Sequence, residues 1–90
     1  MSISRTVQIC NRRGLHARAS AKFVTMASGL AAQVEVEKDG TSVVGTSIMG
    51  LMMLGAATGD EITIRASGDG AEEAVASLAD LVEARFHEAE

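Results

Sequence analysis

The stretch A-Q-V-E-V-E-K-D-G-T-S-V-V-G, residues 32–45, decides how the rest of the chain is read. Ala32, Val34 and Val36 alternate with Gln33, Glu35 and Glu37, the period-two pattern of a strand with one buried face and one wet face. Asp39-Gly40 follows, a pair that accepts the left-handed backbone of a two-residue hairpin turn. Residues 41–45 then form the return strand. Strands with one polar face predict a sheet open to water on one side, with helices on the other.

The same patterns extend outward in both directions. In residues 3–9, Ile3, Val7 and Ile9 alternate with Ser4, Thr6 and Gln8. Arg5 interrupts the apolar row, which marks a frayed or edge strand. From residue 16 to 28 the period changes. Ser20, Phe23, Val24 and Ala27 fall at i, i+3, i+4 and i+7, the stripe of an amphipathic helix, and Gly29 closes it. Residues 47–54, S-I-M-G-L-M-M-L, read as a short helix with Ser47 as its N-cap, weakened by Gly50. Gly59-Asp60 marks a turn, and E-I-T-I-R-A after it is a fourth strand. Asp69 and Glu72 have capping-box spacing. The last helix buries Ala74, Val75, Leu78, Leu81 and Val82 and runs to about Phe86. The order is β-α-β-β-α-β-α, an α+β fold.

Ninety residues make one small domain, spanning residues 1–90, with a modest core. The apolar content of 47% is that of a globular chain, with no linker, repeat or proline. A net charge of −4 and the absence of Trp and Tyr argue against nucleic acid as partner. Cys10 is alone, so no internal disulfide and no Cys/His metal cluster can form, which fits a reducing cytoplasm. Its plain reading is a small residue at a strand end. No apolar run reaches the roughly 20 residues of a membrane span, and the N-terminus has no apolar signal segment.

The chemistry gathers at R-G-L-H-A-R-A-S, residues 13–20. A helix starting at His16 turns unpaired N–H groups and the positive end of its dipole towards that side chain. Such an end holds anions and disfavours a protonated imidazole, so the ring keeps a lone pair for attack. The N–H groups of Ala17 and Arg18 then suit a phosphoryl oxygen, as does the Arg18 guanidinium. Gly14 lets the backbone turn tightly just ahead. These residues fit a reversible phosphohistidine, while a plain surface histidine is the alternative that spacing alone leaves open. No carboxylate stands in sequence as an obvious partner for His16, and no triad can be read. His87, in the charged tail H-E-A-E, reads as solvated.

The pair G-L-H-A-R and T-S-I-M-G-L-M-M-L-G, about thirty residues apart, resembles the HPr family, histidine phosphocarriers of the bacterial phosphoenolpyruvate-dependent phosphotransferase system. The resemblance covers nearly the whole chain. It implies an open-faced β-sandwich, a four-stranded antiparallel sheet with three helices on one face. It also implies phosphorylation of His16 at Nδ1, assisted by Arg18, and regulatory phosphorylation of Ser47 by a serine kinase. The expected partners are Enzyme I and EIIA-type acceptors, with no cofactor, no metal, no membrane insertion and a monomeric state. Two positions depart from the family pattern. Ala19 stands where proline is frequent, and Thr46 stands where lysine often precedes the serine, which bears on kinase recognition.

Within the short helix, Leu51 and Leu54 read as core. Met49, Met52 and Met53 cannot all point inward beside both leucines, so part of the set, with Ile48, faces outward. The resemblance makes Ile48, Met49 and Met52 docking residues. A phosphate on Ser47 would suit the helix start yet place charge beside this apolar surface. Both a sugar-uptake and a nitrogen-related regulatory branch stay open, with a slight inclination to the second. A non-catalytic regulatory domain of the same fold, or an unrelated ferredoxin-like module, are the alternatives.

Overall fold

The computed structural model describes residues 2–89, so Met1 and the tail's last residue, Glu90, lie outside it. Four strands, β1 (Ser2–Gln8), β2 (Gln33–Lys38), β3 (Thr41–Val44) and β4 (Glu61–Ser67), alternate with three helices, α1 (Ala17–Ser28), α2 (Ile48–Met53) and α3 (Ala71–Glu83). The strands pair antiparallel in the order β1-β4-β2-β3. The expected α+β fold and its element order are both present.

The hairpin of residues 32–45 sits at one edge of the sheet. Lys38 pairs with Thr41, and the two residues between them, Asp39 (φ 51°) and Gly40 (φ 83°), are both left-handed. That is the turn whose twist matches the strands on either side. Register then sorts the faces. Val7 lies opposite Ile62, Val36 opposite Ile64 and Val34 opposite Ala66, and all six are buried under the helices. On the other face Thr6 meets Thr63 with their hydroxyls 3.0 Å apart, and Arg65 donates to Glu37 at 3.1 Å. β1 is an edge strand, as Arg5 foretold. That guanidinium escapes the core side by reaching Glu83 at the end of α3, 3.4 Å away.

The helices close the buried face around Phe23, Leu51, Leu78, Val82 and Phe86, each fully enclosed. Gly50 is explained by proximity. A Cβ there would stand 3.1 Å from the Ser47 hydroxyl and 3.2 Å from Val43 Cβ, so α2 rests closely on β3. No described helix is long and apolar enough to cross a membrane.

Two local expectations need correction. The Asp69–Glu72 capping box does not form. Gly70, left-handed at φ 74°, is the N-cap of α3 and offers no side chain, while Glu72 and Glu73 complement the dipole in the first turn. The last helix also stops short of Phe86. It ends at Glu83, and Arg85, Phe86 and His87 follow in a tight left-handed turn with φ of 58°, 54° and 57°. Phe86 stands four residues after Val82, so the apolar stripe reads straight through. Periodicity alone cannot separate a continuing helix from a turn that buries the same ring.

Candidate functional site

Three neighbouring segments set the position of His16. The loop after β1 turns at Gly14, whose φ is 65°. A Cβ at that residue would lie 2.4 Å from the carbonyl oxygen of Ala56, so only glycine fits. The Leu15 N–H donates to that carbonyl at 2.9 Å, pinning the loop to the segment after α2. The next residue, His16, is the N-cap of α1, with extended backbone and its own carbonyl accepting the Ser20 N–H at 2.9 Å.

The ring itself is held from both sides. Its Nδ1 accepts the backbone N–H of Arg18 at 3.3 Å. Arg18 therefore does not offer a wholly idle N–H, as the sequence reading supposed, since the ring already uses it. Its Nε2 lies 2.5 Å from Oε2 of Glu88. A backbone N–H can only donate, so Nδ1 carries the lone pair and the ring proton sits on Nε2, donated to the carboxylate. His16 and Glu88 are mostly covered, with side chains 15% and 10% exposed.

Glu88 is the carboxylate that no local signal revealed. The left-handed turn at residues 85–87 swings the chain back, and Glu88 Oε1 accepts Asn11 Nδ2 at 3.0 Å. Asn11 is fully buried, and the same Nδ2 donates to the Gly14 carbonyl at 2.9 Å, so one amide ties the His16 loop to the tail. Lys22 of α1 donates to the Phe86 carbonyl at 2.7 Å. Burial pushes the Glu88 carboxyl up. The hydrogen bonds from Asn11 and His16, with the charge of Lys22, outweigh it and hold the carboxyl below its ordinary value.

Beside the ring opens a cleft of about 320 Å³ walled by Arg12, Arg13, Arg18, Lys22, His87, Glu88 and Ala89. The chain is acidic overall, yet cations gather here, as an anion-handling site requires. His87 is exposed, as read, but it stands on this wall rather than in a featureless tail. Ala17 is exposed at the mouth of α1, and Ala19 is buried beneath it.

The second motif lies on α2. Ser47 is its N-cap, and its hydroxyl accepts the Gly50 N–H at 3.0 Å. Leu51 and Leu54 are buried, while Ile48, Met49, Met52 and Met53 are exposed at 39%, 71%, 44% and 79%. The division between core and surface is the one expected.

Residues 3–84 match the family model described as the PTS HPr component phosphorylation site. The chain belongs to the HPr family. A phosphocarrier protein HPr of Neisseria meningitidis is 44% identical over 98% of this chain and 99% of its own length. The phosphocarrier protein NPr of Escherichia coli is 36% identical over 98% and 99%. A solved HPr structure from Thermoanaerobacter tengcongensis overlays with a TM-score of 0.92 at 44% identity, covering 98% of this chain and 99% of that one. This member of the HPr family is thus a phosphocarrier of the phosphotransferase system, and its partners are components of that system. Nothing favours the non-catalytic or ferredoxin-like alternatives.

Proposed function

We propose that Nδ1 of His16 is the atom that carries the phosphoryl group. The observation behind this is the pairing of that nitrogen's lone pair with the N-terminal end of α1, where the residues bonded to the ring, Arg18 and Glu88, also line a cation-walled cleft. The Nδ1 lone pair attacks the phosphorus of phosphorylated Enzyme I. The donor–phosphorus bond breaks, and its electron pair leaves with the donor. The phosphoryl oxygens then take the Ala17 and Arg18 N–H groups and the Arg18 guanidinium, trading the weak ring contact for charge-assisted ones. Transfer to an EIIA-type acceptor reverses the step. No cofactor or metal enters this chemistry. Every group named comes from one chain, so a monomer suffices, and residues 1–90 act as a single domain. The free thiol of Cys10 fits a cytoplasmic setting.

Ile48, Met49 and Met52 form the docking surface in this reading. Flexible thioethers adapt to more than one partner, and the patch is apolar, exposed and carried by the helix that packs against α1. Ser47 is the regulatory site for a serine kinase, since a phosphate there would charge the rim of that patch. The regulatory, nitrogen-related branch is the one we favour for the methionine-rich helix and for Ala19.

Intact mass after incubation with phosphoenolpyruvate and Enzyme I tests the carrier atom. Wild type is expected to gain one acid-labile phosphoryl group and His16→Ala none. A His16→Ala protein that still takes the group would move the site elsewhere.

A further inference from the structure

Outside the sequence motifs, the segment after α3 is tightly constrained. Arg85, Phe86 and His87 adopt, in succession, a conformation that L residues with a Cβ avoid. Three contacts hold it there. Phe86 is fully enclosed in the core, its carbonyl accepts Lys22, and Glu88 is clamped between Asn11 and His16. Backbone strain of this kind persists only where the surroundings over-determine it. Here its consequence is definite, because it delivers a carboxylate to Nε2 of His16, 72 residues earlier in the chain.

We propose that Glu88 is a positioning residue for the phosphoryl transfer, holding the proton of His16 on Nε2 so that Nδ1 presents its lone pair. This rests on the reading of His16 as the carrier. The logic is electrostatic as well as geometric. When Nδ1 bonds phosphorus the imidazole gains positive charge, and an ionised carboxylate on the far side of the ring stabilises that charge without touching the phosphoryl group. Asn11 holds the other carboxylate oxygen, so the group stays on the Nε2 side of the ring although its residue lines the cleft wall. The groups facing this carboxylate are Asn11 from the loop after β1, and His16 and Lys22 from α1. Arg12, Arg13, Arg18 and His87 share the cleft wall.

Nitrogen NMR of the His16 ring in the unphosphorylated protein, for wild type, Glu88→Gln and Glu88→Ala, tests the idea together with the rate of phosphoryl acceptance from Enzyme I. Wild type should show a protonated Nε2 and a bare Nδ1. Glu88→Ala should show averaged tautomers, Glu88→Gln should keep an acceptor for Nε2–H without the charge, and both should accept phosphate about tenfold more slowly, the loss expected for one charge-assisted hydrogen bond. Their backbone amide spectra should otherwise match wild type, since residue 88 follows the last core side chain. Identical ring shifts in wild type and Glu88→Ala would overturn the proposal, as would a shifted tautomer in Glu88→Ala with an unchanged rate. The two readings fail separately. A wild type that takes no phosphoryl group sinks the carrier, whereas a labelled wild type with equally fast variants sinks only Glu88.

Discussion

At Glu88 the sign of a pH effect follows from its surroundings. Its carboxyl is held below the ordinary value of 4.5, because the bonds from Asn11 and His16 outweigh its burial. A group depressed in the folded state adds stability that is complete above its unfolded value and is lost as pH falls through the folded one. The stability that ionised Glu88 gives over Glu88→Gln is therefore expected to be present above the ordinary carboxylate range and to be lost as pH falls through it. Urea denaturation of both proteins across that range measures the gap. A gap that persists unchanged well below the ordinary carboxylate range would contradict the assignment. At the same scale, His16, Arg18 and Gly14 were legible from one short motif, because a glycine turn and a helix start are local matters. Asn11, Lys22 and Glu88 were not, because they meet only when both ends of the chain are folded together.

Among the elements, α2 carries most of the consequences. Its six residues are too few to form a helix alone, so the Ser47 cap and the burial of Leu51 must hold it. Ser47→Ala leaves the Gly50 N–H without its partner and is expected to cost about 1 kcal/mol. Ser47→Asp keeps an acceptor there and should leave the melting temperature near that of wild type. The same substitution puts a negative charge beside Ile48 and Met49, so phosphoryl acceptance from Enzyme I should fall severalfold. Thermal melts and transfer rates of the two variants separate capping from docking. An aspartate variant that transfers at the wild-type rate would remove Ser47 from regulation. Patterning alone predicted which side chains of this helix face the core, because the spacing of Leu51 and Leu54 leaves one inward stripe. It failed at both ends of α3. The Asp69–Glu72 spacing was present, but two left-handed glycines, Gly68 and Gly70, route the chain past the box. Capping-box spacing is a necessary feature of the motif and never a sufficient one.

Across the whole molecule, charge is unevenly spread. The net charge is −4, yet Arg12, Arg13, Arg18 and Lys22 wall one cleft. An anionic donor is drawn to that end and repelled elsewhere, so the field orients the encounter. Phosphoryl acceptance at limiting Enzyme I should therefore slow about tenfold between low and high salt, because exposed charges are screened beyond roughly 10 Å at 0.1 M salt. Transfer rates measured across an ionic-strength series check this, and a flat profile would deny any steering by the cleft.

The sequence by itself determined the strands, the helices, the faces they bury and the histidine at a helix mouth. Each of these is set by residues within a turn or two of one another, and period and spacing record them. Tertiary structure alone decided the strand order, the reversal of hand after α3 and the carboxylate behind the His16 ring. Glu88 reaches His16 because Phe86 finds room in the core and Lys22 waits for its carbonyl. Those are contacts between segments with no periodic relation, and only close packing of the whole chain brings them together.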